Sequence, residues 1–437
     1  MRRYIMPTVL LAAVLSGGQV HTYAQRVYTL EEIFECAEQQ SAMLQPSMTA
    51  IEEAREALEA AKAEKLPQIG AVLSAGYLGD GFTTKRDFSD FQPAPNPHLQ
   101  NSFNVSISQP LYAGGAIRSG IEMAALQRNA AELSAETSRD NIRLALAGYY
   151  LDLYRYDNQR SVVEANIEAA RKVLEEMQAR YGQGTVLHND ITRYELLVSG
   201  LELQKIKIDN ILRILNGCLV TTAGLPEGTL VEPDRTILDR AMPLQDEKWW
   251  QEEASSNSPA MGLARNGVDI SIRAEELAKS ARRPRIALQA GWVTEGPIVV
   301  EVPPIDRNLN YWFVGLGISY DFSSLFKDNR KVAQARTASR RAREELTAAG
   351  QNLGLAVRED YIHYLEAFEE LKTMEKSVEL AEKNYRTVLA GYSAGTALIT
   401  ELLDASNEKL DAAMGLVNAR IGIISRYYKL LHTSGKI

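Results

Sequence analysis

The side chains that most often carry out chemistry are few and scattered in this sequence. The five histidines are His21, His98, His188, His363 and His432. Their spacing is not that of metal ligands, and two cysteines, Cys36 and Cys218, are too few for a disulfide framework or a thiolate site. Neither a nucleophile elbow nor a dinucleotide-binding glycine motif is present. We therefore expect no enzyme activity and no metal or other cofactor.

One pattern of turn-forming and acidic residues occurs twice. The letters YGQGTVLHNDIT at 181–192 and YSAGTALITELL at 392–403 share the same residue types at the same spacing. The paired positions are Tyr181 and Tyr392, Gly184 and Gly395, Thr185 and Thr396, Leu187 and Leu398, and Asp190 and Glu401. Glycine is favoured where a helix ends in a left-handed residue. The pattern predicts that the chain makes the same helix-ending turn in two places.

Two acidic residues follow the second of these turns. Glu401 and Asp404 are three positions apart, so they share one face of the helix that is predicted to start there. Acidic residues near the start of a helix also stabilise its dipole. The spacing alone therefore leaves two interpretations open, a stabilising pair and a functional cluster of negative charge.

The composition and the first residues indicate an exported protein. The formal net charge of −8 argues against a nucleic-acid partner, which favours a basic surface. Arg2 and Arg3 precede an apolar run, and Thr22 and Ala24 suit the small-residue positions of a secretory cleavage site. These features predict a cleaved signal peptide over residues 1–24. No later apolar run reaches about 18 residues, so we expect no membrane-spanning helix.

The mature chain consists of two related halves. The segment at 36–69 aligns with the segment at 253–286, and each has a helical pattern that ends near a proline, Pro67 or Pro284. After each proline the period of the apolar residues changes from that of a helix to that of a strand. A repeat of this kind predicts two copies of one structural plan.

Four segments alternate between apolar and small or polar residues, at about 67–78, 101–112, 285–296 and 311–322. In the last of them Trp312, Val314 and Leu316 alternate with Gly315 and Gly317. Transmembrane β-barrel strands show this alternation, although a half-buried sheet of a soluble protein shows it too. An exported chain without a spanning helix favours the barrel.

Four strands are too few to close a barrel, because the smallest barrels have about eight. An open sheet edge in lipid would leave backbone groups without hydrogen bonds, at several kcal/mol each. We therefore expect strands from several chains to join, which makes the protein an obligate homo-oligomer.

Two very long helices are predicted, at 116–181 and 329–392, because neither segment contains a proline. Both show heptad spacing, with Ile167, Leu174 and Tyr181 beside Val163, Ala170 and Met177 in the first, and Tyr364, Leu371, Val378, Tyr385 and Tyr392 in the second. This spacing is typical of helices in coiled-coil packing. Each helix would be on the order of 100 Å long at about 1.5 Å per residue. Because each reaches the repeated turn and is followed by another helical segment, two long helical hairpins result.

The order of these elements resembles that of TolC-like outer-membrane efflux proteins. The residues that carry the resemblance are TLEEIFECAEQQSAML at 29–44, QPLYAGGAIRSGI at 109–121, AGLPEGT at 223–229 and the duplicated Tyr-x-x-Gly-Thr turns. It implies a mainly α fold with a transmembrane β part, in which a homotrimer shares a 12-stranded barrel in outer-membrane lipid. It also implies a periplasmic adaptor and an inner-membrane exporter as partners, in a Gram-negative bacterium.

The resemblance also divides the chain and suggests functional residues. It implies a first repeat at 25–223, an equatorial segment at 224–257 and a second repeat at 258–437. A periplasmic gate is expected at Asp190, Tyr392, Glu401 and Asp404. The adaptor is expected to dock on the hairpin tips at 181–187 and 392–398, through Gly184, Thr185, Val186, Leu187, Gly395, Thr396, Ala397 and Leu398. Ala397 occupies a position that is often basic in the family's gate, so the closed state is expected to be held less firmly.

The function that follows is a passive exit duct for an efflux or type I-like secretion system, with a long periplasmic extension. The alternative is a structural coiled-coil protein that bridges the cell envelope without conducting. The sequence leaves open the exported substrate, the class of pump, the open or closed resting state, and the roles of Cys36 and Cys218.

Overall fold

The computed structural model describes residues 26–234, 236–237, 242–301 and 303–437, so the expected signal peptide over 1–24 lies outside the described residues. The helices are α1 Leu30–Gln40, α2 Gln45–Ala63, α3 Ala116–Tyr181, α4 His188–Ala223, α5 Glu247–Asn257, α6 Pro259–Ser280, α7 Ser324–Ser393 and α8 Ile399–Thr433. The strands are β1 Arg26–Tyr28, β2 Gln68–Tyr77, β3 Gly81–Thr83, β4 Gln92–Ala94, β5 Leu99–Ala113, β6 Val231–Pro233, β7 Arg285–Gly296 and β8 Leu309–Ser319. The fold is mainly helical, and its longest helices form two consecutive pairs.

The four long strands form one antiparallel sheet in the order β2-β5-β7-β8. The strand expected at about 311–322 is observed as Leu309–Ser319. It ends early because the Asp321 carboxylate accepts hydrogen bonds from the backbone N–H and the hydroxyl of Ser323, at 2.9 and 2.7 Å. This turn starts α7 at Ser324, earlier than the expected position near 329.

The strand register keeps apolar side chains on one face of this sheet. Across the four strands, Ala71 is opposite Val105, Val105 is opposite Trp292, and Trp292 is opposite Trp312. The next row, on the other face, has Gly70, Ser106, Gly291 and Phe313 in the same order. The apolar face and the face of mostly small or polar residues thus run through the whole sheet.

Two small sheets were not predicted from the sequence. β1 pairs in parallel with β6, and β3 pairs with β4 in the segment between β2 and β5. Each of these strands has three residues, which is too short for an alternating pattern to be recognised. The β1–β6 pair joins the start of the described chain to the segment after α4.

The long helices are continuous over 66 residues in α3 and 70 residues in α7. Within the described part of the chain, no helix combines the length and the apolar character that crossing a membrane requires. The predicted heptad positions Val163, Met177, Tyr364 and Tyr385 are buried. Tyr181 differs from the heptad prediction, because it is 49% exposed at the end of α3, where the helix gives way to a turn.

The chain packs as two compact units. The first contains the described residues of Met1–Ser41, Gly148–Arg240 and Ala381–Val417, and the second contains those of Ala42–Ala147, Ala241–Leu380 and Asn418–Ile437. In the second unit the Trp250 side chain is 1% exposed in a core with Tyr364 and Leu430. Trp250 is therefore a core residue of this unit.

Candidate functional site: the hairpin tips

The first hairpin tip joins α3 to α4 through a glycine-ended helix cap. The N–H of Gly184 donates to the carbonyl of Tyr181 at 2.9 Å, and the N–H of Thr185 donates to the carbonyl of Arg180 at 3.2 Å. These two bonds form a Schellman motif, in which glycine takes the left-handed position. The Thr185 hydroxyl also donates to the Arg180 carbonyl, at 3.1 Å. Threonine therefore adds a second donor to a helix-terminal carbonyl.

The second tip, between α7 and α8, repeats this hydrogen bonding. The N–H of Gly395 donates to the carbonyl of Tyr392 at 3.1 Å, and the N–H of Thr396 donates to the carbonyl of Gly391 at 2.8 Å. The Thr396 hydroxyl donates to the same Gly391 carbonyl at 3.0 Å. The duplicated Tyr-x-x-Gly-Thr pattern thus corresponds to two copies of one helix cap.

Backbone conformation explains the glycine in each cap. Gly184 and Gly395 both have φ of 76°, in the left-handed region. A Cβ atom added at either glycine would meet nothing within 4 Å. The requirement for glycine is therefore one of backbone conformation and not of space.

Each tip exposes a leucine side chain. Leu187 is 71% exposed and its counterpart Leu398 is 68% exposed. Val186 is buried beside Leu187, and Ala397 is half-buried beside Leu398. Each tip therefore presents a leucine next to the Gly-Thr turn, while the neighbouring residue packs inward.

A common apolar core in the first unit supports both tips. Val186 and Ile191 belong to it from the first hairpin, and Tyr392, Ile399 and Leu402 belong to it from the second. Leu402 is fully buried. The two turns are thus held by one cluster of side chains, which fixes the position of one tip relative to the other.

The acidic residues after the second turn are exposed, and each is followed along α8 by a buried core residue. Leu402 and Ala405 are buried, whereas Glu401 and Asp404 are exposed. One Glu401 carboxylate oxygen accepts a hydrogen bond from the N–H of Leu398 at 2.8 Å. Glu401 therefore caps the start of α8, as a glutamate at the third helical position commonly does. Asp404 adds a second carboxylate on the same exposed face.

The structure brings two of the predicted gate residues, Asp190 and Tyr392, into electrostatic range of each other. Burial raises the pKa of the Tyr392 hydroxyl, and the negative charge of Asp190 raises it further. Tyr392 is 8% exposed, and its hydroxyl has no hydrogen-bond partner among the described residues. An unpaired buried hydroxyl costs about 1–3 kcal/mol. Asp190 and Tyr392 therefore interact through charge, without a hydrogen bond between them.

Sequence reasoning did not identify the polar cluster inside this core. Tyr194 of α4, Tyr385 of α7 and Ser406 of α8 line one small cavity, where their hydroxyls interact electrostatically. Burial raises the pKa of the Tyr194 and Tyr385 hydroxyls. A tyrosine at a heptad position is read from the sequence as a packing residue, so no signal indicated that these hydroxyls meet. The cluster links three of the helices that carry the tips.

Among the described residues, no group of three or more His, Cys, Asp and Glu side chains is arranged to hold a metal ion. The Cys36 and Cys218 thiols are free and half-buried. The arrangement at the tips offers hydrogen bonding, apolar contact and negative charge at the ends of two hairpins.

Comparison with known proteins identifies the family. A model of the outer membrane efflux protein family matches residues 33–209 and 250–431, one stretch in each half. The outer membrane protein TolC of Escherichia coli (strain K12) is 22% identical over 429 residues, which cover 94% of this chain and 82% of TolC. The duplication seen in the sequence is therefore shared with the family.

Solved structures show the same fold. The outer membrane protein VceC of Vibrio cholerae matches with a TM-score of 0.76 at 17% identity, over 93% of this chain and 96% of VceC. The outer-membrane channel OprN matches with a TM-score of 0.77 at 16% identity, over 93% of this chain and 90% of OprN. Together with the family match over most of its length, this places the chain in the outer membrane efflux protein family.

Proposed function

We propose that three copies of this chain form an exit duct in the outer membrane, through which an inner-membrane exporter and a periplasmic adaptor pass substrates out of the cell. The efflux role and the outer-membrane location follow from the family. Channels of this family are trimeric and work with adaptor and inner-membrane pump partners. The trimeric state of this chain and its own partners belong to the proposal.

The open edges of the four-stranded sheet carry the proposal. Within the described residues, β2 and β8 each pair with one strand only, so each has an unpaired edge. The apolar face of the sheet is exposed, with Leu73 at 77% and Ile318 at 72%. A sheet with one apolar face is stable in lipid only when its edges are paired. Joining β8 of one copy to β2 of the next pairs both edges and leaves the apolar face in contact with lipid.

The tips and the acidic pair are assigned to the periplasmic end of this duct. We propose that Gly184, Thr185, Val186 and Leu187, with Gly395, Thr396, Ala397 and Leu398, contact the adaptor. The exposed leucines at the two tips support this assignment. Asp190, Tyr392, Glu401 and Asp404 are proposed to form the gate, supported by the charges that surround the buried Tyr392 hydroxyl.

The proposed division of the chain follows the repeat, with a first repeat at 25–223, an equatorial segment at 224–257 and a second repeat at 258–437. The family model supports this division, because it matches two stretches and leaves the segment between them unmatched. Strand β6 lies inside the proposed equatorial segment, and helix α5 forms its end.

Two measurements on the purified protein test the duct. Chemical cross-linking in detergent is expected to give a three-chain species that resists mild denaturation. Insertion of that species into planar lipid bilayers is expected to give discrete conductance steps.

A folded monomer in detergent would overturn the trimer. The alternative, a non-conducting envelope bridge, would be supported by a stable trimer that gives no conductance at either voltage polarity. The same result would have to hold for the variant with Glu401→Gln and Asp404→Asn.

A further inference from the structure

The first five turns of α7 are basic, although the whole chain has a net charge of −8. Between Ser324 and Arg343 the basic residues are Lys327, Arg330, Lys331, Arg336, Arg340, Arg341 and Arg343. This stretch contains one acidic residue, Asp328, which is buried with 7% of its surface exposed. The exposed surface of this segment is therefore strongly positive.

Helix stability does not explain Lys327 and Arg330, whereas Lys331 forms an ion pair with Asp328 on the same helix. Lys327 lies in the first turn of α7, where the helix dipole is positive and disfavours positive side chains, and Arg330 and Lys331 follow in the second turn. The first turn contains no acidic residue, although the Asp321 carboxylate lies just before it and interacts with Lys327. Placing cations there adds to the positive potential of the helix start, and the combination favours an external anion.

These cations directly follow the apolar face of the sheet. Leu316 and Ile318 of β8 lie on that face, at 68% and 72% exposure. Two exposed aromatic residues come next, Phe322 at 72% and Phe326 at 79%. Arg330 lies one helical turn after Phe326 and on the same side of α7, opposite the buried face. The order from apolar to aromatic to basic is the order of environments across a membrane–water boundary.

The cations at the start of α7 differ in their contacts from the arginines that come later in the same helix. The Arg282 guanidinium of the α6–β7 turn donates to the Asn329 side chain at 2.6 Å, which adds a fourth cation beside the start of α7. Three arginines later in α7 have acidic partners: Arg336 with Glu275 at 3.6 Å, Arg340 with Glu344 at 3.8 Å and Arg341 with Glu345 at 3.4 Å. Lys331 has the buried Asp328 as a partner, at 3.1 Å. The excess positive charge is thus concentrated at the membrane end of the helix.

We propose that Arg282, Lys327, Arg330 and Lys331 bind the phosphate group of an anionic phospholipid in the inner leaflet of the outer membrane, with Phe322 and Phe326 against its acyl chains. The inference rests on the proposed function, because the shared barrel sets the level of the lipid. Pairing of β8 with β2 of the next copy also brings the exposed Lys65 and Leu66 of that copy to the same level. Each subunit boundary then holds one lipid site.

The test compares two triple variants of the full-length trimer. The first is Lys327→Gln, Arg330→Gln and Lys331→Gln, and the control is Arg340→Gln, Arg341→Gln and Arg343→Gln. Both remove three positive charges from the same helix. Native mass spectrometry of each trimer, titrated with phosphatidylglycerol or phosphatidylcholine, measures the preference for the anionic lipid.

We expect the parent protein and the control variant to retain phosphatidylglycerol in preference to phosphatidylcholine. The first variant is expected to lose this preference by at least tenfold, and by on the order of a hundredfold if each residue contributes about fivefold. Equal preference in the first variant and the control would overturn the proposal. The proposal would also be overturned if the first variant kept its lipid preference but lost binding to purified cell-wall sacculi. The cations would then bind the cell wall and not a lipid.

The conductance of each variant in planar bilayers separates this proposal from the proposed function. A parent trimer that conducts but shows no preference for the anionic lipid contradicts the lipid site alone. A parent protein that forms no trimer contradicts the duct itself.

Discussion

At the residue scale, two tips with the same hydrogen bonds have different surroundings. Tyr181 is 49% exposed and lies against the ring of His188, with ring centres 5.6 Å apart, whereas Tyr392 is 8% exposed in the core. The role of the glycines was predictable, because it depends on the turn itself. The difference between the tyrosines was not, because it depends on which other helices pack against each tip.

The glycine of each turn provides the first prediction. Replacing Gly184 and Gly395 together by valine forces a β-branched residue into a left-handed conformation, which costs roughly 1–2 kcal/mol per position. We expect export to fall while the trimer still assembles, because no atom lies near enough for a clash. Export assays in cells and cross-linking in detergent measure the two effects.

Gly200→Val is the matched control for the glycine variants. Gly200 lies inside α4, has no positive φ and has nothing within 4 Å of its added Cβ. Export that is unchanged by the double tip variant would show that the turns are not a docking surface.

The acidic pair provides the second prediction. Glu401→Gln keeps an oxygen for the N–H of Leu398, and Asp404→Asn keeps the shape of the side chain, so the double variant removes charge with little change of fold. Three copies would place a ring of carboxylates around the mouth, and like charges there raise the local concentration of cations. We expect a lower preference for cations and weaker block by trivalent cations in single-channel recordings.

Exposed carboxylates elsewhere control for a general change in surface charge. Glu369→Gln with Glu370→Gln removes the same charge from exposed positions of α7, outside the tip. An unchanged cation preference in the tip variant, or an equal change in both variants, contradicts the assignment of Glu401 and Asp404 to the mouth.

At the element scale, the long helices and the four long strands were predictable because each carries a sustained period. The heptads of α3 and α7 identified buried positions such as Met177 and Tyr364. The bounds depended on local caps, as at Asp321, where one carboxylate ended β8 and started α7. The β1–β6 pair was not predictable, because three-residue strands far apart in sequence leave no pattern.

Two leucines of the second hairpin separate packing from docking. Leu402 is fully buried beneath the tip, and Leu398 is 68% exposed on it. Leu402→Ala is expected to cost about 2–5 kcal/mol of unfolding free energy through loss of packing. Leu398→Ala is expected to change stability by less than about 0.5 kcal/mol. Thermal unfolding followed by circular dichroism measures both.

The exposed leucines are then tested for binding. Leu187→Ala with Leu398→Ala is expected to weaken capture of the purified adaptor without lowering the unfolding temperature. A stable double variant that captures the adaptor as well as the parent would remove the leucines from the docking surface.

At the scale of the whole molecule, the sheet has two faces that meet different surroundings in the proposed trimer. The row of Ala71, Val105, Trp292 and Trp312 belongs to the face assigned to lipid. The opposite face has small and polar residues such as Ser74 and Ser102, whose hydroxyls are 2.9 Å apart. The sequence predicted this alternation, but the pairing of β5 with β7, which joins the two halves, depends on the fold.

A charge placed on either face tests this assignment directly. Leu316 and Gly315 are neighbours in β8, so their side chains lie on opposite faces. Leu316→Arg puts a cation on the lipid face, which costs about 2–4 kcal/mol per chain near the middle of a bilayer and three times that in a trimer. We expect this variant to leave little heat-resistant trimer in the outer-membrane fraction. Gly315→Arg, where an added Cβ meets nothing within 4 Å, is expected to assemble and to lower the cation conductance. The reverse result, with assembly lost only in Gly315→Arg, would mean that the small-residue face meets lipid and that the apolar face is covered by protein.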